Sequence, residues 1–280
     1  MSQPPVDTAN FCYRHPDRQS FVLCQRCGRT ICSQCQTPAA VGVHCPECVR
    51  EARASAPRTK PALLTRVRGA SRRGVPVVTY SIIGVSLVIW LLQQVTGGAV
   101  TNALLFYAPF ALSEPWRIVT SLFVHGSFFH IAFNMYALFI FGGEMERQLG
   151  RARFAALYFV GGIGGSAAVA VIAPQSPVVG ASGAIFGLMV AFFIIARSLG
   201  RNAVQLLVLV AINLAIGFVL PGVAWQAHVG GIIAGAAVAW VFTKTRHRSK
   251  KPIQIGAIAA IGVVLIAITL VRSAQILGLA

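Results

Sequence analysis

The sequence predicts an all-α polytopic membrane protein with a small cysteine-rich domain in front of it. Three observations carry that prediction. Of 280 residues, 56% are hydrophobic and only 11% are charged, whereas a soluble domain carries about 25% charged residues. Apolar runs near the ~20 residues a bilayer demands recur from residue 76 onward, and mean hydropathy is +0.70. All seven cysteines lie between Cys12 and Cys48, so metal-type and lipid-type chemistry are segregated along the chain.

Residues 1–52 form the polar module. It carries four ligand pairs, each with two residues between: Cys12/His15, Cys24/Cys27, Cys32/Cys35 and Cys45/Cys48. Eight ligands make two tetrahedral zinc sites. So short a segment cannot build a large core, so metal binding supplies folding energy. Eight protein ligands leave no open coordination position, and both zincs are read as structural. Tight CxxC pairs beside polar residues suit a reducing compartment better than disulfides. An interleaved arrangement is expected, the first pair with the third and the second with the fourth. It resembles the cross-braced zinc fingers of the B-box and RING type. His44 is a spare candidate ligand. The polar N-terminus has no early apolar stretch of the signal-peptide kind.

Residues 53–75 read as a basic linker, with Arg53, Arg58, Lys60, Arg66, Arg68, Arg72 and Arg73 and no acid among them. A juxtamembrane segment held near anionic lipid headgroups explains it better than nucleic acid does.

Seven apolar spans follow, at about 76–96, 127–146, 152–172, 182–199, 203–220, 225–243 and 253–273. The connector 97–126 is too polar and too punctuated by Gly and Pro for a span, and an interfacial hairpin or re-entrant element is expected there. The positive-inside rule orients the spans. With the module in the cytoplasm, that side receives the linker, Arg147, Arg151, Arg153, Arg197, Arg201, Lys244, Arg246, Arg248, Lys250 and Lys251. The other side keeps only Arg117 and Arg272. This asymmetry accounts for the net charge of +17 without nucleic acid. It places the N-terminus in the cytoplasm and the C-terminus outside. The Arg/Ala/Gly/Val-rich composition points to a bacterial inner (plasma) membrane.

Within this frame the unusual polar residues gather at one depth. His125, His130 and Asn134 sit at the outer entry of the second span, Ser182 opens the fourth and His228 opens the sixth. Ionisable groups in a bilayer are costly and mark function. The stretch Gly180-Ala181-Ser182-Gly183-Ala184-Ile185-Phe186-Gly187 would, alone, be ordinary small-residue packing. With His228 at the same depth, and Gly231 and Gly235 following at helical spacing, the fourth and sixth helices can approach until His228 meets Ser182. His130 and Asn134 are four apart and share a helical face. A serine hydroxyl needs a base to become a nucleophile, and a triad needs a carboxylate to orient that base. No Asp or Glu occurs from Arg147 to Ala280, and Glu144 and Glu146 lie at the far end of the second span. Glu114, in the connector, stays open as an orienting group, but a Ser-His dyad is the economical reading. Metal catalysis is disfavoured, because the spans hold no cysteine and no His-Glu cluster of metalloprotease spacing.

These residues resemble the rhomboid intramembrane serine proteases. The matching stretches are Trp116-Arg117, His125-x4-His130-x3-Asn134, Gly180-x-Ser182-Gly183 and Ala227-His228-x2-Gly231-x3-Gly235. They cover roughly residues 76–244, which the resemblance makes a six-helix core. Residues 245–280 add a basic loop and a seventh transmembrane helix, where Gly256 and Gly262 are expected to aid packing. The resemblance implies that Ser182 attacks the peptide carbonyl and that His228 is its general base. It implies oxyanion stabilisation by His130, Asn134 and the Ser182 N–H, with His125, Gly180, Gly183 and Phe186 in support. Glu146 would tie helices together. No cofactor is then needed for catalysis. Implied partners are membrane lipids and single-span transmembrane substrates, cut near the outer face. The zinc module is open to recruiting a cytoplasmic protein partner, to binding nucleic acid or lipid, or to capping the N-terminus, with protein interaction the preferred reading. Two other readings make different demands. A silent rhomboid-like scaffold binding client helices would have lost Ser182 or His228. A transporter would show inverted repeats and charged pairs, and the sequence shows neither.

Overall fold

The computed structural model describes residues 10–39, 41–55 and 74–279. The chain divides into two compact units, Met1–Val67 and Arg68–Ala280. Of the basic stretch expected over 53–75, residues 56–73 lie outside the described residues, as does the Arg53 side chain.

The first unit holds two antiparallel hairpins, β1 (Phe11–Cys12) with β2 (His15–Gln19) and β3 (Thr37–Pro38) with β4 (Val43–His44), followed by α1 (Pro46–Ala54). Cys45 Sγ caps α1 by accepting from the Cys48 N–H at 3.5 Å. The buried core is Ile31 and six of the cysteines, with Tyr13 and Val43 packed on it. Too little apolar surface is buried here to offset chain entropy, so the unit needs a further source of stability.

The second unit is helical. Its helices are α2 (Val77–Val95), short α3 (Ala99–Leu104) and α4 (Arg117–Thr120), α5 (Phe128–Leu149), α6 (Arg151–Ile172), α7 (Ser182–Ser198), α8 (Val204–Val219), α9 (Trp225–Lys244) and α10 (Lys251–Ile276). Among the described residues, α2, α5, α6, α9 and the helix ending at Ile276 are long and apolar enough to cross a membrane. The apolar α7 and α8 are shorter, at 17 and 16 residues.

Small residues set the packing. Helix α6 is the centre, 67% buried in its apolar window, while that of the C-terminal helix is 11% buried. A Cβ on Gly164 would lie 2.8 Å from the Gly230 carbonyl, one on Gly231 would lie 1.9 Å from the Gly183 carbonyl, and one on Gly235 would lie 2.4 Å from the Gly187 carbonyl. The α6–α9 and α7–α9 backbones therefore touch, as small-residue faces permit. Gly256, expected to aid packing, faces open space, whereas Gly262 is within contact of Val160. Helix α10 packs on α6, on α9 and on the turn at Ala108–Phe110, and Gly256 lies off those contacts, so it does not aid packing as expected.

Helix α5 widens into a π-helical turn over Leu138–Gly142. Glu146, beyond that turn, accepts from the Val78 N–H (2.9 Å), the Thr79 N–H (2.7 Å) and the Thr79 hydroxyl (2.8 Å). It satisfies the orphan donors at the start of α2, a capping role supplied from another helix. The connector 97–126 is broken into short helical turns. Its buried Arg117 pairs with Glu114 at 2.6 Å and donates to the Asn102 and Leu105 carbonyls at 2.5 and 3.0 Å.

Candidate active site

Ser182 begins α7, and the segment before it is held extended. Phe106 and Val178 exchange backbone hydrogen bonds of 2.9 and 2.8 Å, and the Gly180 N–H donates to the Ser121 carbonyl at 2.9 Å. Gly180 has φ +122°, in the region that favours glycine, and a Cβ there would lie 2.6 Å from His130 Nε2. The first turn of α7 packs on α9, where a Cβ on Gly183 would lie 3.0 Å from the Ala227 carbonyl. That contact carries His228, the next residue, onto Ser182. His228 Nε2 lies 2.9 Å from Ser182 Oγ across 46 residues of sequence.

The imidazole of His228 is buried, and its ring stacks on Phe186 at 4.2 Å between centroids and 17° between planes. Phe186 stands one turn after Ser182, so the helix that presents the hydroxyl also fixes the ring beside it. For the hydroxyl to donate to Nε2, the proton must sit on Nδ1, and Nδ1 has no hydrogen-bond partner among the described residues. Glu114, the one acid the sequence left open, is engaged by Arg117. The geometry brings serine and histidine together, and among the described residues no carboxylate bonds to the far side of the imidazole. Such a pair can pass a proton from oxygen to nitrogen as the oxygen attacks an electrophile.

His130 and Asn134 lie four residues apart on α5 and share a helical face. The Asn134 side-chain N–H donates to the His130 carbonyl at 2.8 Å, which leaves its second amide hydrogen to give. His125 is buried and sets its ring edge-on to His130 at 5.1 Å. It also contacts the Phe123 carbonyl through Nδ1 at 3.3 Å. Gln93, on α2, holds both backbone groups of His125, accepting its N–H and donating to its carbonyl, each at 3.1 Å. Sequence reading passed over Gln93. Its signal was a Gln93-Gln94 pair near the end of an apolar span, with no motif around it. A 20 Å³ cavity, room for about one water, lies behind the Ser182 turn, lined by Ser121, Ser166 and Gly183 among others.

In the first unit the structure assembles two tetrads, Cys12–His15–Cys32–Cys35 and Cys24–Cys27–Cys45–Cys48, with ligand atoms within 4.8 Å of one another. The first pair joins the third and the second joins the fourth. His44 stands apart from both, in β4. All seven thiols are free. Burial pushes Cys12 and Cys24 up, but backbone N–H groups aimed at their sulfurs outweigh it and bring both down to about 6. Burial and neighbouring sulfurs push Cys35 to about 11 and Cys48 to about 12. Crowded soft donors of this kind, in two sets of four, fit Zn²⁺.

Comparison with known proteins points one way. Residues 112–245 match the family model described as the Rhomboid domain. YdcA of Bacillus subtilis (strain 168), a protein named for that family, is 31% identical over 183 residues, covering 62% of this chain and 92% of YdcA. The rhomboid protease GluP of the same organism is 34% identical over 178 residues, covering 59% of this chain and 34% of GluP. The mitochondrial RHOMBOID-like protein 6 of Arabidopsis thaliana is 37% identical over 136 residues, covering 46% and 44%. The chain thus spans less than half the length of these last two relatives.

Proposed function

This chain belongs to the rhomboid family, and on that premise we propose that it is an intramembrane serine endopeptidase working through a Ser182–His228 dyad. Ser182 Oγ bonds to the carbonyl carbon of the scissile peptide while His228 Nε2 takes the hydroxyl proton. The oxyanion receives hydrogen bonds from the Ser182 N–H, His130 and Asn134. The imidazolium returns the proton to the leaving amine as the C–N bond breaks, leaving an acyl-serine. Water then gives a proton to His228 as its oxygen bonds to the acyl carbon; the C–Oγ bond breaks, His228 returns the proton to Ser182 Oγ, and the new carboxyl terminus leaves. The chemistry calls for no cofactor.

The observation that supports this most directly is the 2.9 Å contact between His228 Nε2 and Ser182 Oγ, with the ring stacked on Phe186. Substrates are single-span transmembrane proteins, cut where a helix unwinds near the outer face. The seven apolar helices sit in a bacterial plasma membrane, with the N-terminus cytoplasmic and the C-terminus outside. Zinc is held by Cys12, His15, Cys32 and Cys35 and by Cys24, Cys27, Cys45 and Cys48, where it stabilises the module's fold. That module is a docking unit for a cytoplasmic protein.

The test is covalent capture. Protein in lipid nanodiscs is treated with a fluorophosphonate, which loses fluoride to an activated serine. Mass spectrometry should find the adduct on Ser182 alone, and His228→Ala should abolish it. Labelling elsewhere, or labelling indifferent to His228→Ala, sinks the assignment.

A further inference from the structure

On α5, His130 can stabilise negative charge through Nε2 only if the proton sits there. A neutral imidazole carries one ring proton, and the partner of the other nitrogen decides which one is protonated. In this structure the partner of Nδ1 is the Gly126 N–H, at 3.4 Å. A donor facing Nδ1 makes it an acceptor and leaves the proton on Nε2. Nε2 is the atom that lies against Gly180, two residues before Ser182.

The Gly126 N–H belongs to the same planar peptide as the His125 carbonyl, and in a trans peptide the two groups point in opposite directions. That carbonyl is held by Gln93 Nε2 at 3.1 Å. The same amide accepts from the His125 N–H at 3.1 Å, and its nitrogen also donates to Thr101 Oγ1 at 2.8 Å. Three bonds therefore fix one side chain, and that side chain fixes the plane of the 125–126 peptide. With the carbonyl bound on the Gln93 side, the N–H has one direction left, toward His130.

We propose that Gln93 is a positioning residue that sets the tautomer of His130, holding its ring proton on Nε2 and facing the oxyanion position beside Ser182. The proposal rests on the protease reading for its purpose. The tautomer itself does not depend on turnover.

The experiment uses the full-length chain in lipid nanodiscs with ring-¹⁵N histidine. The His130 signals are identified by their loss in His130→Ala. Wild type should show protonated Nε2 and bare Nδ1, and Gln93→Met should raise the Nδ1–H form. An unchanged tautomer in Gln93→Met overturns the proposal. Turnover gives a second reading. Gln93→Met should lower kcat about tenfold, short of the ~10²–10³-fold cost of losing an oxyanion donor outright. KM should stay within about twofold, and the change should cost nothing further on top of His130→Ala. Additive losses would mean that Gln93 acts elsewhere. Should Gln93→Met fold poorly, Gln93→Glu keeps the acceptor for the His125 N–H and loses the donor to its carbonyl, and the same two outcomes decide. The spectra are repeated in Ser182→Ala. If cleavage survives Ser182→Ala, the protease reading fails while the tautomer result stands.

Discussion

Ser182 and His228 are separated by 46 residues and meet at 2.9 Å, so their contact reports on the whole fold while depending on a few neighbours. Phe186 is one. Replacing it with Ala removes a stack at 4.2 Å, worth about 0.5–1.5 kcal/mol beyond the area it buries. Phe186→Ala should lower kcat about 3- to 10-fold with a smaller change in KM, as read by steady-state cleavage in liposomes. Gly180 is the other. An added methyl would meet His130 Nε2 at 2.6 Å, on a backbone with φ +122°. Gly180→Ala should cost about 10²-fold in kcat while thermal unfolding shows the helices still packed. Wild-type turnover in Gly180→Ala would mean that His130 does not face the reacting carbonyl. Much of this neighbourhood was visible in the sequence, because His, Asn and Ser are conspicuous in apolar runs. Gln93 was not, because a glutamine near a helix end, beside Gln94, carries no spacing signal until the loop it binds is in place.

At the scale of elements, close backbone contact organises the bundle. The seven apolar runs were legible from length and hydropathy. That α6 would be central was not, although its Gly161-Gly162-x-Gly164-Gly165 run is the feature that lets α7 and α9 close on it. The π-turn in α5 was equally hidden, since a shifted hydrogen-bond ladder leaves no compositional trace. Gly231→Ala puts a methyl 1.9 Å from the Gly183 carbonyl, and backbone cannot yield as a side chain does. It should destabilise the bundle by about 1–3 kcal/mol and reduce cleavage, measured by denaturant unfolding and by turnover together. Stability held at the wild-type value would show that α7 and α9 do not pack this closely. At the other end of α5, Glu146 caps α2 with three hydrogen bonds. Glu146→Ala should cost about 0.5–2 kcal/mol and leave KM unchanged, because the cap lies at the opposite end of α5 from His130.

At the scale of the molecule, the chain joins two units stabilised by different means. The helical unit buries apolar surface and glycine-lined backbone. The N-terminal unit has a core of one isoleucine and six cysteines, and in the proposed reading zinc on its two tetrads supplies the rest of its stability. Chelation should therefore unfold residues of the first unit, followed by loss of its amide protection in hydrogen exchange, while the protection of α6 and α9 is unchanged. Retained protection of the first unit after complete zinc removal would contradict the structural role given to the metal. The division was legible because cysteine and hydropathy are segregated along the chain. The connector 97–126 was less so, since its short turns are held by Arg117 and by tertiary bonds that no local pattern announces. The central claim is that Ser182 and His228 form the working dyad. The most direct measurement places purified protein in liposomes with a fluorescent single-span peptide and compares wild type with Ser182→Ala and His228→Ala at matched folding. The account predicts cleavage by wild type that both substitutions abolish. Cleavage that survives either substitution would contradict it.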